Sequence, residues 1–224
     1  MSTNSEVFPI DIVSDVACPW CYVGKKKLEK ALAQVGNSIT PEIRWRPFQL
    51  SPEIPEEGID YKIHLTQKFG SLDRLDGAWT RLTEIGKDVG INFQFQNIPK
   101  ATNTLVLHAL VAALPTLEAQ QNLVERFFAA NFEETLDLTD KEVVWKVVEP
   151  FYNNRTQFDT IYDDGNLKQN IQQEIQYYHQ NGISGVPYFI IGGKYAVSGA
   201  QDSSVFVEVI ETVIKERESE NKGQ

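Results

Sequence analysis

Two sulfurs have the plainest capacity for chemistry in this 224-residue chain: Cys18 and Cys21, its only cysteines, in the run Cys18-Pro19-Trp20-Cys21. A cysteine reacts as its thiolate, which displaces one sulfur of a disulfide. A second thiol one helical turn away can attack the resulting mixed disulfide and release the product. The first sulfur then needs a setting that favours negative charge. A helix N-terminus supplies one through its unpaired N–H groups and aligned dipoles. Pro19 marks such a start, because proline suits the first helical position, where its missing N–H costs nothing. It also stiffens the turn, and Trp20 offers an apolar surface beside the reacting sulfur. These residues predict Cys18 as nucleophile and Cys21 as resolving thiol.

Other uses of a Cys-x-x-Cys pair fit less well. Half a zinc site would need a second cysteine pair or histidines at ligand spacing, and His64, His108 and His179 have no such spacing. No metal site is therefore expected. Two inert core thiols would share this strand-to-helix position only by coincidence. A static structural bridge is rare in the reducing compartment that such sparse cysteine usage suggests.

The elements that must hold the pair can be read from periodicity. Residues 7–14 are a short, largely apolar strand, and a helix from Pro19 carries Leu28, Ala31, Leu32 and Val35 on one stripe until Gly36-Asn37. Residues 42–49 alternate and predict a second strand, which places the cysteines at the turn of a β-α-β unit. The middle is helical: Leu72 to Val89 at helix spacing, 103–114 nearly all apolar, another helix at Val124, Phe127 and Phe128, and a last one at Leu167, Ile171, Ile175 and Tyr178. Thr139 and Glu142 suggest a capping box before Val143. Strands return at 188–191 and 195–197, joined by Gly192-Gly193, before an amphipathic helix from Val205 to Ile214 and a polar tail, 216–224, expected to fray. The two end pieces are too small to bury their apolar faces separately, so they are expected to share one sheet. The fold class is then α/β, with 1–58 and 181–224 as two parts of one domain and 59–180 as a helical insertion.

Lys plus Arg is 21 against 31 Asp plus Glu, a net charge of −10, which makes phosphate backbones and anionic lipid poor partners. The start of the chain has no basic segment followed by an apolar run, so a cytoplasmic location is expected. No tightly bound cofactor is expected. A homodimer is compatible with the apolar helices.

The stretch Ser14-Asp15-Val16-Ala17-Cys18-Pro19-Trp20-Cys21-Tyr22-Val23-Gly24-Lys25 resembles the DsbA-like thioredoxin-fold oxidoreductases, within them the FrnE-type intracellular branch. Trp45 to Leu50, Asn103-Thr104 with His108, Ser184 to Phe189 and Gly199-Ala200-Gln201 extend the resemblance over nearly the whole chain. It implies a thioredoxin sheet interrupted by helices, with Pro187 cis and facing the cysteines. It also implies that the main chain of Val186 pairs with substrate backbone like an added strand, so Pro19, Trp20, Val186 and Pro187 are the expected substrate contacts. Three departures stand out. Ile12 occupies the place of the buried acid of thioredoxins, so proton transfer to Cys21 needs another group, such as Asp15, or water. Trp20 replaces the histidine of periplasmic DsbA proteins, which predicts a weaker oxidant. Ala109 replaces an arginine after His108, which puts polar contacts around Asn103 and His108 in doubt; alone, His108 reads as a hydrogen-bonded core residue.

The function expected is exchange of disulfides with a protein, peptide or small thiol, glutathione being a candidate co-substrate. The first alternative is glutathione-dependent isomerisation or transfer, because the fold resembles kappa-class glutathione transferases and 2-hydroxychromene-2-carboxylate isomerases. Those carry serine where Cys18 stands. The second is a non-enzymatic peptide-binding module.

Overall fold

A computed structural model describes residues 7–222. Strand β1 (Val7–Ser14) runs parallel to β2 (Thr40–Pro47) after the crossover helix α1 (Pro19–Val35). On its other side β1 pairs antiparallel with β5 (Tyr188–Ile191), which pairs antiparallel with β6 (Tyr195–Ser198), giving the order β2-β1-β5-β6. Ile12 stands opposite both Trp45 and Phe189. Gly192 and Gly193 in the β5–β6 turn both adopt positive φ, which only glycine takes freely.

Between β2 and β5 the chain forms the two-residue strand β3 (Ile59–Asp60), α2 (Tyr61–Phe69), α3 (Leu72–Asp88), β4 (Lys100–Ala101), α4 (Leu105–Ala112), α5 (Leu117–Phe132), α6 (Lys141–Val148), α7 (Arg155–Tyr162) and α8 (Gly165–Gln180). β3 and β4 pair with each other. The final helix is α9 (Ser203–Lys222). No helix among the described residues is long and apolar enough to cross a membrane.

Two cores meet at α1. Its C-terminal half lays Leu28 and Ala31 on the sheet with Ile10, Ile12, Phe189, Phe206 and Ile210. Its N-terminal half, with Cys18, Cys21, Tyr22 and Val23, enters the core of the helical layer, where the Tyr22 ring stacks on Phe128 at 5.0 Å. Lys25 is 2% exposed, and its ammonium is held between the carboxylates of Glu29 and Glu125, tying α1 to α5. The start of α1 is thus fixed from both layers.

Three expectations change in detail. β2 covers Thr40–Pro47 rather than 42–49. The cap of α6 is Asp140, whose carboxylate accepts from the Glu142 and Val143 N–H groups, while the Thr139 hydroxyl donates to Asp137 at 2.6 Å instead. The polar tail is helical as far as described: α9 continues through Lys222, and residues 223–224 lie outside the described ones. Glu216 accepts from Lys194 and Tyr195, and Arg217 donates to the Val7 carbonyl, so polar contacts to the sheet hold the start of this stretch where no apolar stripe announces it.

Candidate active site

The turn after β1 is built around Asp15. Its main-chain carbonyl accepts from Cys18 N at 2.9 Å, and its carboxylate accepts from Ala17 N at 3.1 Å and from Leu50 N at 2.8 Å. Asp15 is 1% exposed, so it staples the cysteine turn to the loop after β2 from inside. Cys18 follows in extended geometry as the N-cap of α1, and Pro19 opens the helix. Cys18 is only 3% exposed yet lines a cavity of about 260 Å³ with Pro19, Trp20 and Val186.

Cys21 approaches Cys18 to 3.4 Å and is 1% exposed. Burial raises its thiol well above the ordinary value, and the neighbouring Cys18 adds to this. The Ser14 hydroxyl and the Asp15 N–H work in the opposite direction. The two thiols therefore differ in setting: Cys18 faces the cavity, while Cys21 lies behind it and holds its proton tightly.

The Val186–Pro187 bond is cis, and the Cys18 thiol donates to the Val186 carbonyl at 3.7 Å. Gly24, six residues after Cys18, lets α1 sit against this strand start. A Cβ there would lie 3.0 Å from both the Pro187 ring and the Phe189 ring.

His108 is brought to the same place: its Nε2 lies 2.9 Å from the Phe48 carbonyl and 3.6 Å from Asp15. It is a buried, hydrogen-bonded histidine whose second neighbour is the Asp15 staple. Asn103 does not line the cavity that Cys18 faces. Its side chain accepts from Gln49 and Leu105 N and donates to Ile54 O at 2.7 Å, fixing the loop that forms one cavity wall.

Helix α2 supplies residues that the sequence reading did not single out. Tyr61, His64, Leu65 and Lys68 line the cavity, and Tyr61, Trp79 and Phe95 form an aromatic wall with centroid spacings of 6.1 and 5.9 Å. Burial, with a smaller effect from Cys18, raises the Tyr61 phenol. Burial and nearby Lys68 lower His64, partly opposed by Glu53. A signal for α2 was present: the Asp60 carboxylate accepts from Ile63 N at 2.8 Å as N-cap, and Gly70 closes the helix at φ 86.

The family model described as a DSBA-like thioredoxin domain matches residues 9–211. A Bacillus subtilis protein, YwbO, is 25% identical over 204 residues, covering 90% of this chain and 94% of its own. A probable DsbA oxidoreductase from Streptomyces coelicolor superposes with a TM-score of 0.84 at 26% identity, covering 92% of this chain and 89% of its own. A 2-hydroxychromene-2-carboxylate isomerase shares the fold at a TM-score of 0.71 and 17% identity, covering 96% of this chain and 98% of its own. With a match that runs from the first strand into the last helix, the chain belongs to the DsbA-like thioredoxin domain family.

Proposed function

We propose that this protein is a thiol–disulfide oxidoreductase working through Cys18 and Cys21. The observation that carries the reading is the unequal placement of the two sulfurs at one helix start, one on the cavity and the other 1% exposed behind it. The Cys18 thiolate attacks a substrate disulfide, one substrate sulfur leaves as a thiolate, and a mixed disulfide forms. Cys21, as thiolate, then attacks the Cys18 sulfur, the second substrate sulfur leaves, and an intramolecular disulfide remains. A cytosolic dithiol or glutathione would restore the reduced pair, and the same steps reversed oxidise a substrate. The carbonyl of Val186, already in contact with the Cys18 thiol, supports the main-chain pairing that the family resemblance implies. Trp20, the aromatic wall and the Lys68–His64 rim suit a small disulfide or an extended peptide segment.

The glutathione-dependent alternative draws on the shared fold alone. A thiol at position 18 weighs against it, because that thiolate would exchange with glutathione disulfide, forming a mixed disulfide and releasing a glutathione thiolate. Insulin reduction and glutathione conjugation, assayed for wild type, Cys18→Ser and Cys21→Ser, separate the readings. Exchange predicts that Cys18→Ser abolishes reduction and that Cys21→Ser accumulates a mixed disulfide visible by intact mass. Full reduction by Cys18→Ser would overturn it. Conjugation unaffected by either change would favour the transferase reading.

A further inference from the structure

Cys21 must lose a proton before it can attack the mixed disulfide, yet it is 1% exposed and surrounded by core. Ile12 on the neighbouring strand offers only an alkyl side chain, and both Asp15 carboxylate oxygens already accept backbone N–H groups. A base other than Asp15 would leave that staple undisturbed.

Ser14, whose hydroxyl acts on the Cys21 thiol, lines a second cavity of about 200 Å³ that shares no lining residue with the substrate cavity. Its polar lining comes from five elements: Ser14 of β1, Trp45 and Arg46 of β2, His108 of α4, Gln120 of α5 and Glu174 of α8. Ser14 is 3% exposed, and Ser14 Oγ and Trp45 Nε1 are buried without a hydrogen-bond partner. A buried indole N–H can only donate, so it requires an acceptor that no side chain provides. A polar space of this size accommodates several waters, each with roughly 30 Å³ of liquid volume. At the outer end, the Glu174 side chain is 33% exposed and lies 3.5 Å from Arg46. It therefore touches both the cavity and bulk solvent.

We propose that this cavity is the proton-transfer site of the resolving thiol, with water held between Ser14, Trp45 and Glu174 carrying the Cys21 proton to the Glu174 carboxylate. The inference rests on the disulfide-exchange reading above. The Cys21 S–H bond breaks and its proton passes through the Ser14 hydroxyl and water to Glu174. The sulfur's electron pair forms the bond to Cys18, the bond from Cys18 to the substrate sulfur breaks, and the departing thiolate is protonated by solvent. The substrate disulfide is the only oxidant, and the path runs backwards when the pair is reduced. Burial makes Glu174 hold a proton more readily than an ordinary carboxylate; Arg46 and His108 oppose this, and Asp11 of β1 assists. Tyr178, on the same helix, and the Arg46–Asp11 ion pair complete the charged surroundings. At the other end, Cys21 faces Cys18, the Ser14 hydroxyl and the Asp15 N–H.

The test is single-turnover mixing of the reduced full-length protein with a chromogenic aryl disulfide. The first release of coloured thiolate reports attack by Cys18, and the second reports resolution by Cys21. Glu174→Gln and Ser14→Ala are each expected to slow the second phase relative to the first by about tenfold or more near neutral pH, the scale of a lost proton-transfer group. The deficit is expected to close as pH rises toward the ionisation of Cys21 itself, and added formate is expected to restore the second phase in Glu174→Ala. An unchanged ratio of phases in both variants would overturn the relay, as would parallel slowing of both phases with a lowered Tm. A wild type with no second phase would instead refute disulfide exchange itself, and the relay with it.

Discussion

Replacing Gly24 with alanine sets two effects of known size against each other. An alanine in a helix interior is favoured over glycine by about 1 kcal/mol, so an unconstrained Gly24→Ala would stabilise α1. The structure denies it that freedom. The new methyl would meet the Pro187 ring and the Phe189 ring at 3.0 Å each, about 0.5–1 Å inside ordinary carbon–carbon contact. Neither ring can yield easily: Phe189 is 0% exposed and packs edge-on against Phe206 at 4.8 Å, and Pro187 is rigid. Overpacking of this kind costs about 1–3 kcal/mol, which exceeds the propensity gain. The expected net loss is about 1 kcal/mol, or a Tm lower by about 2–4 °C in a chain this long.

The larger effect falls on exchange. The methyl pushes α1 away from the strand that carries Val186, and Cys18 rides at the start of that helix. A displacement near half an ångström between the reacting sulfur and the groups that orient its substrate is expected to lower kcat/KM for disulfide reduction by about tenfold. Urea unfolding and insulin reduction on the same preparations give both numbers. A variant more stable than wild type with undiminished turnover would show that the contact of α1 with the Pro187 strand does not position Cys18.

Asp15→Ala removes the acceptor of two backbone N–H groups that hold the cysteine turn, and is expected to cost about 3 kcal/mol in urea unfolding, with Asp15→Asn costing roughly half because one oxygen remains. Asp137 should make stability sensitive to acid. Although burial raises its carboxyl, the Thr139 hydroxyl and N–H and the Lys100 ammonium prevail and hold it below its ordinary 3.8. A depressed folded-state value stabilises above the ordinary value and is lost as pH falls through the depressed one. Asp137→Asn is therefore expected to be less stable than wild type by about 0.5 kcal/mol at pH 7, a figure discounted for solvent screening. The gap should shrink as pH falls below the ordinary 3.8 and through the depressed value, as followed by urea titrations at each pH.

Much of the scaffold was legible because its signals are local. The apolar run of β1, the alternation of β2, the apolar stripes of α3, α8 and α9, and the glycine pair between β5 and β6 are each confined to a short stretch of chain. The step from strand to Cys18-Pro19-Trp20-Cys21 and on to a helix is equally local, so the nature of the chemistry could be read from it. α2 escaped notice because its face is mixed: Tyr61 is 7% exposed, whereas Ile63 and Phe69 are 60% and 41% exposed. Only its caps, Asp60 and Gly70, betray it. The Thr139 cap failed for a related reason, since Asp137 and Asp140 on either side compete for the same hydrogen bonds.

The chain's own order of residues determined that two thiols would stand one turn apart at a helix start beyond a short strand. Chain closure alone decided that one thiol would face a cavity and its neighbour would be sealed behind it. It also decided that Ser14, Trp45, His108 and Glu174, drawn from β1, β2, α4 and α8, would surround a common polar space. Periodicity reports which face of an element is apolar, but the surroundings of a sulfur depend on atoms as far as 168 residues away along the chain.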